Sequence, residues 1–166
     1  YTFAAADFGF TDASDTPANA LTSVKITTLP GAGSLKNNGV AINAGDFIAV
    51  ADITASKLRF TPAANANGAG YASFTFQVKD DGGTANAGVD LDATANTITV
   101  NVTAVNDEPA GANKTVTTLE DTDYTFAAAD FGFTDASDAP ANALTSVKIT
   151  TLPGAGSLKN NGVAVN

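Results

Sequence analysis

Phe74, Phe76 and Val78 alternate with polar residues through ASFTFQV, and Ile98, Val100 and Val102 do the same through TITVNVTAV. That period of two is the mark of strands with one face turned inward. The β-branched and aromatic runs SVKITTL and KLRFT add two more, so strands are predicted over Ser23 to Leu29, Lys57 to Thr61, Ala72 to Val78 and Thr97 to Val105. An Asn-Gly pair, Asn38 and Gly39, sits between the short apolar flanks of Leu35 and Val40; both residue types accept positive φ, which predicts a tight hairpin. Helical signal is confined to the Ala-rich stretch Phe3 to Asp7 and to a single turn around Val50 to Ile53. Pro30, Pro62 and the Gly-rich stretch Asn65 to Gly70 punctuate the rest. Strands separated by turns in this way predict an all-β fold, an Ig-like sandwich.

The whole pattern repeats. Residues 1–43 recur at 124–166 with two differences, Thr16 against Ala139 and Ile42 against Val165, which sets a period of 123 residues. A period of that length fits one independent domain rather than a solenoid unit. Near-identical copies in series serve length, valency or repeated docking, whereas an active site needs one particular constellation. The tether Val105-Asn106-Asp107-Glu108-Pro109 closes a strand, and Pro109 holds Glu108 extended, so the boundary is placed there. The first repeat then spans 1–108 without a counterpart of Pro109 to Asp123, and 109–166 is the N-terminal half of the next, with Thr115 to Leu119 predicted as its first strand. The chain reads as a window cut from a longer array.

Composition narrows the chemistry. With no Cys and no His, neither disulfides, thiolate metal sites nor imidazole bases exist, and catalysis would need a carboxylate pair that nothing singles out. Of 17 acidic residues 15 are Asp, against 8 basic ones, for a net charge of −9; such a surface repels nucleic acid and anionic lipid. No apolar run approaches the roughly 20 residues of a membrane span.

Oxygen donors gather in four places: Asp12-Ala13-Ser14-Asp15 with its copy Asp135 to Asp138, Asp80-Asp81-Gly82-Gly83, Asn106-Asp107-Glu108, and Glu120-Asp121-Thr122-Asp123. Each adjoins a turn or a strand end. Ca²⁺ takes six to eight oxygens in irregular geometry, so a tether and its flanking repeats can share an ion. The candidate ligands are Asp12, Asp15, Asp80, Asn106, Asp107, Glu108, Glu120, Asp121, Asp135 and Asp138. Neither an EF-hand loop nor a glycine-rich nonapeptide β-roll occurs, and an Asp-Asp-Gly-Gly run is also an ordinary solvated turn.

The order Leu119-Glu120-Asp121, Tyr124-Thr125-Phe126, Asp130-Phe131, Phe133-Thr134-Asp135, Leu144 to Ile149 and Leu152-Pro153 resembles the cadherin-like tandem repeats of giant secreted bacterial adhesins and biofilm-associated proteins. Leu58 to Pro62, Asn65 to Gly68, Phe74 to Asp80 and Val105 to Pro109 continue the pattern over essentially the whole chain. The resemblance implies a cadherin-like sandwich, calcium near the junctions with Glu120, Asp135, Asp80, Asn106 and Asp107 as donors, and the role of an extender on the bacterial surface. The chain departs from the family at Ala139-Pro140-Ala141-Asn142, where relatives often place another Asp.

The expectation is therefore an extracellular, calcium-stiffened repeat of an adhesin, whose partners are neighbouring repeats of the same chain. Two alternatives stand beside it. One is a filament or sheath subunit completed by other copies of the chain; the other is a carbohydrate-binding module using Tyr1, Tyr71 and Tyr124 as a stacking platform.

Overall fold

The computed structural model describes residues 1–166. They divide into two compact units, Tyr1–Val105 and Asn106–Asn166.

The first unit is all-β apart from short helical turns. Its strands are β1 (Leu21–Ile26), β2 (Ser34–Asn37), β3 (Val40–Ala41), β4 (Phe47–Ala49), β5 (Leu58–Thr61), β6 (Gly68–Asp80) and β7 (Asn96–Val102), with one α-helical turn, α1 (Val50–Thr54), between β4 and β5. A four-stranded sheet runs β4-β1-β6-β7 and a three-stranded one β3-β2-β5, with every pairing antiparallel. The long β6 serves two neighbours: its C-terminal half pairs with β1 (Val24 opposite Val78) and its N-terminal half with β7 (Phe74 opposite Ile98).

The inward positions of both sheets meet in one core. Val24, Ile26, Ile48, Phe74 and Phe76 come from the larger sheet, and Leu35, Leu58 and Phe60 from the smaller. Phe3 and Phe8 close it, edge-on to Phe74 and Phe76 at ring-centroid distances of 5.6 and 5.0 Å. Each large side chain so buried contributes about 1.5–3 kcal/mol. The Asn38-Gly39 turn joins β2 to β3 with φ of 50° and 81°, as both residue types favour.

The structure differs from expectation in three respects. Residues 68–70 belong to β6 rather than to a loop: Gly68 and Gly70 take positive φ, and the register with β7 slips between Gly68 and Ala72, so glycine supplies an irregularity within the strand instead of ending it. The strand expected over Ser23 to Leu29 stops at Ile26, and that expected to reach Val105 stops at Val102.

The third difference lies in the second unit, where Thr115 to Leu119 forms no strand. This unit contains a 3-10 turn (Ala128–Phe131) and one hairpin, β8 (Lys159–Asn160) with β9 (Val163–Ala164), closed by Asn161-Gly162 as the copy of Asn38-Gly39. Its Leu144 to Ile149 is letter for letter the sequence of β1, yet it is irregular. The cause is the absence from 124–166 of any copy of β6, the strand against which β1 pairs. Strand propensity without a partner does not make a strand.

Candidate functional site

Asn142 is the hub of the best-formed polar cluster. Its backbone N–H donates to Asp135 Oδ2 at 2.5 Å, and its side-chain Nδ2 donates to Asp138 Oδ2 at 2.8 Å and to Asn106 Oδ1 at 2.9 Å. The backbone N–H of Asp107 donates to Asp138 Oδ1 at 3.1 Å. Asn106 and Asp107 of the tether are thus fastened to the loop Asp135 to Asn142, and a cavity of about 200 Å³ lies among Asn106, Asp107, Asp135 and Asn142.

Asp135 is the one buried charged residue, 7 % exposed, and its Oδ1 has no hydrogen-bond partner. A buried carboxylate oxygen left without a donor is costly. It is the atom that a hard cation would satisfy, and the side chains of Asn106, Asp107 and Asp138 carry the oxygen ligands that Ca²⁺ prefers. The arrangement is pre-assembled only in part: no three carboxylates stand close enough together to form a ready metal-holding group.

The first unit carries the copy of this loop. Asn19 N–H donates to Asp12 Oδ2 at 2.6 Å and Asn19 Nδ2 to Asp15 Oδ2 at 2.9 Å. Asp80 and Asp81 join at the same end: Asp81 Oδ1 accepts from Ala20 N–H at 2.7 Å, Asp80 Oδ1 accepts from Gly82 N–H at 2.7 Å, and a Cβ added at Gly82 would lie 2.7 Å from Asn19 Nδ2. Here Asp12 is only half-buried and has no buried oxygen left without a partner.

Of the expected ligands, Asn106, Asp107, Asp135 and Asp138 come together in the second unit, and Asp12, Asp15 and Asp80 in the first. Glu108 is exposed, and Glu120 and Asp121 occupy an exposed turn; their carboxylates make no hydrogen bond to the Asp135 cluster. Asn19 and Asn142 were missed as organisers. The signal was present as Asp-x-x-Asp-x-x-x-Asn in both copies, at the place where the family pattern led one to look for another carboxylate.

Each tyrosine is engaged within its own unit. Tyr1 stands edge-on to Phe3 and donates its hydroxyl to Asp7, Tyr71 stands edge-on to Phe60 and accepts from Ala63 N–H, and Tyr124 repeats the arrangement of Tyr1 with Phe126 and Asp130. The hydrogen bonds to Asp7 and Asp130, followed by the carboxylate charge, or by burial and then charge, raise both the Tyr1 and Tyr124 hydroxyls above their ordinary pKa. No helix is long and apolar enough to cross a membrane. No protein-family model matches the chain, and neither the curated proteins nor the solved structures yield a match.

Proposed function

We propose that the chain is a structural extender: a tandem β-sandwich repeat of a bacterial cell-surface adhesin, working outside the cell, whose joint is stiffened by Ca²⁺. Support for the sandwich is the single core shared by two antiparallel sheets. Support for a mechanical rather than chemical role is the near-identity of the copies and the lack of His and Cys.

The observation that carries the calcium reading is Asp135 Oδ1, buried and unpartnered beside a tether already bonded to the same loop. Asp135 would hold the ion, and Asn106, Asp107 and Asp138 would turn their oxygens to it as the internal hydrogen bonds to Asn142 relax. The ion supplies charge neutralisation; the chain supplies a tether that can no longer swing. Calorimetric titration of the chelator-treated chain with CaCl₂ tests this. Saturable binding is expected, weakened about tenfold or more in Asp135→Asn. No heat at millimolar Ca²⁺, or unchanged affinity in the variant, would overturn it.

A further inference from the structure

Asn142 supplies every donor to the side-chain oxygens of Asn106, Asp135 and Asp138 except the Asp107 N–H. Both hydrogens of its amide are engaged, one on Asp138 Oδ2 at 2.8 Å and one on Asn106 Oδ1 at 2.9 Å. An oxygen of the tether and an oxygen of the loop thus converge on one partly positive nitrogen. Those distances exceed a Ca²⁺–oxygen bond, about 2.3–2.6 Å, by only a few tenths of an ångström.

Asp135 Oδ1 is the exception. It meets no donor although its residue is only 7 % exposed. Among the carboxylate oxygens of Asp135 and Asp138, it alone is there for a cation to take without breaking a hydrogen bond. The first unit repeats the clamp: Asn19 N–H and Asn19 Nδ2 hold Asp12 Oδ2 and Asp15 Oδ2 at 2.6 and 2.9 Å. An amide that gathers two carboxylates in both copies is built into the loop by its sequence.

We infer that the Asn142 amide is a latch that stands in for the cation: it holds Asn106 to Asp138 when calcium is scarce and must turn aside before their oxygens can serve as ligands. With the calcium joint as its premise, the latch adds what regulates it. Ligand bonds then replace hydrogen bonds already made, so only the difference counts towards affinity. A latch closed in about nine chains of ten lowers the apparent affinity about tenfold. The joint is thereby set to fill at about 10⁻⁴–10⁻³ M Ca²⁺, the range of extracellular modules, and not at the roughly 10⁻⁷–10⁻⁵ M of intracellular sensors. A residue that merely shaped the loop would weaken binding when removed. A latch, when removed, strengthens it.

The test is calorimetric titration of the full chain and of Asn142→Ala with CaCl₂, paired with limited proteolysis of the tether in chelator and in calcium. In chelator the variant's tether should be cut faster than that of wild type. In calcium both tethers should be protected, and the variant should bind about tenfold more tightly. Heat from wild type with equal or weaker affinity in the variant overturns the latch and leaves the calcium joint standing. Equal cleavage of the two chains in chelator also overturns the latch. So does a variant tether cut as fast with calcium as without, because Asn142 would then be needed to build the loop. No heat from either chain removes the joint and the latch with it.

Discussion

Asp107 is fastened to Asp138 by a backbone N–H to carboxylate bond of 3.1 Å, which ties the acidic tether to the first loop of the repeat it enters. Asn142 holds the other oxygen of the same carboxylate. Two residues of tether and one loop therefore behave as a single polar knot, and its strength depends on Asn142 more than on any one carboxylate.

Replacing Asn142 with Ala removes both side-chain bonds while leaving the backbone donor to Asp135. A loss of about 1–3 kcal/mol from the knot is expected, since one of the two acceptors is charged and the knot is partly open to water. Limited proteolysis should report it as faster cleavage within residues 105–109, with the first unit still resistant.

Gly33 and Gly156 occupy the same place in identical sequence, and their substitution separates strain from packing. A Cβ on Gly33 would stand 2.5 Å from the Phe60 ring and 2.7 Å from Thr61 O, at φ of 73°, while Gly156, at 75°, has open space around it. Gly156→Ala should cost about 1 kcal/mol from backbone conformation alone. Gly33→Ala should cost about 2–4 kcal/mol, because a clash with the core adds to that strain. Denaturant melts of the two variants should be visibly different.

Phe74 lies within the core against Phe3 and is 1 % exposed. Phe74→Ala should destabilise the first unit by about 3–5 kcal/mol, read as a lower midpoint with little change in hydrogen exchange of the β8-β9 hairpin.

Acid should weaken both units through particular carboxylates. Asp52 is held below its ordinary pKa of 3.8 by hydrogen bonds from Lys57 and Asn37. Asp130 is held below it by the Ala127 N–H, then by Tyr124 and Lys114. A folded-state pKa below the unfolded one means stability that is fully present above the unfolded value and is lost as pH falls through the folded one. Thermal midpoints should therefore hold down to about pH 4 and fall below it, and Asp52→Asn should lose part of that dependence.

How far the sequence foretold this structure differs by element. The alternation at Phe74 and Phe76 and the Asn-Gly turns were legible because they are local: side-chain period and permitted φ settle them. Val24 and Val147 mark where local reading stops. Both sit in the sequence Leu-Thr-Ser-Val-Lys-Ile, yet Val24 is 0 % exposed in β1 and Val147 is 41 % exposed in an irregular segment, because only the first has β4 and β6 beside it. Thr115 to Leu119 failed as a strand for the same want of a partner. At the candidate site, carboxylate clustering drew attention to Asp135 and Asp138, whereas the Asn of the same Asp-x-x-Asp-x-x-x-Asn spacing was passed over, because an amide carries no charge to mark it and its two side-chain bonds, to Asp138 and to Asn106 36 residues away, form only in the folded chain.

Whether calcium locks the tether to the repeat it enters can be read from small-angle scattering of the 166-residue chain in about 1 mM Ca²⁺ and in chelator, at concentrations low enough to exclude association. A longer, less variable particle is expected with calcium, and loss of that difference in Asp135→Asn. Superimposable curves in the two conditions would rule the lock out.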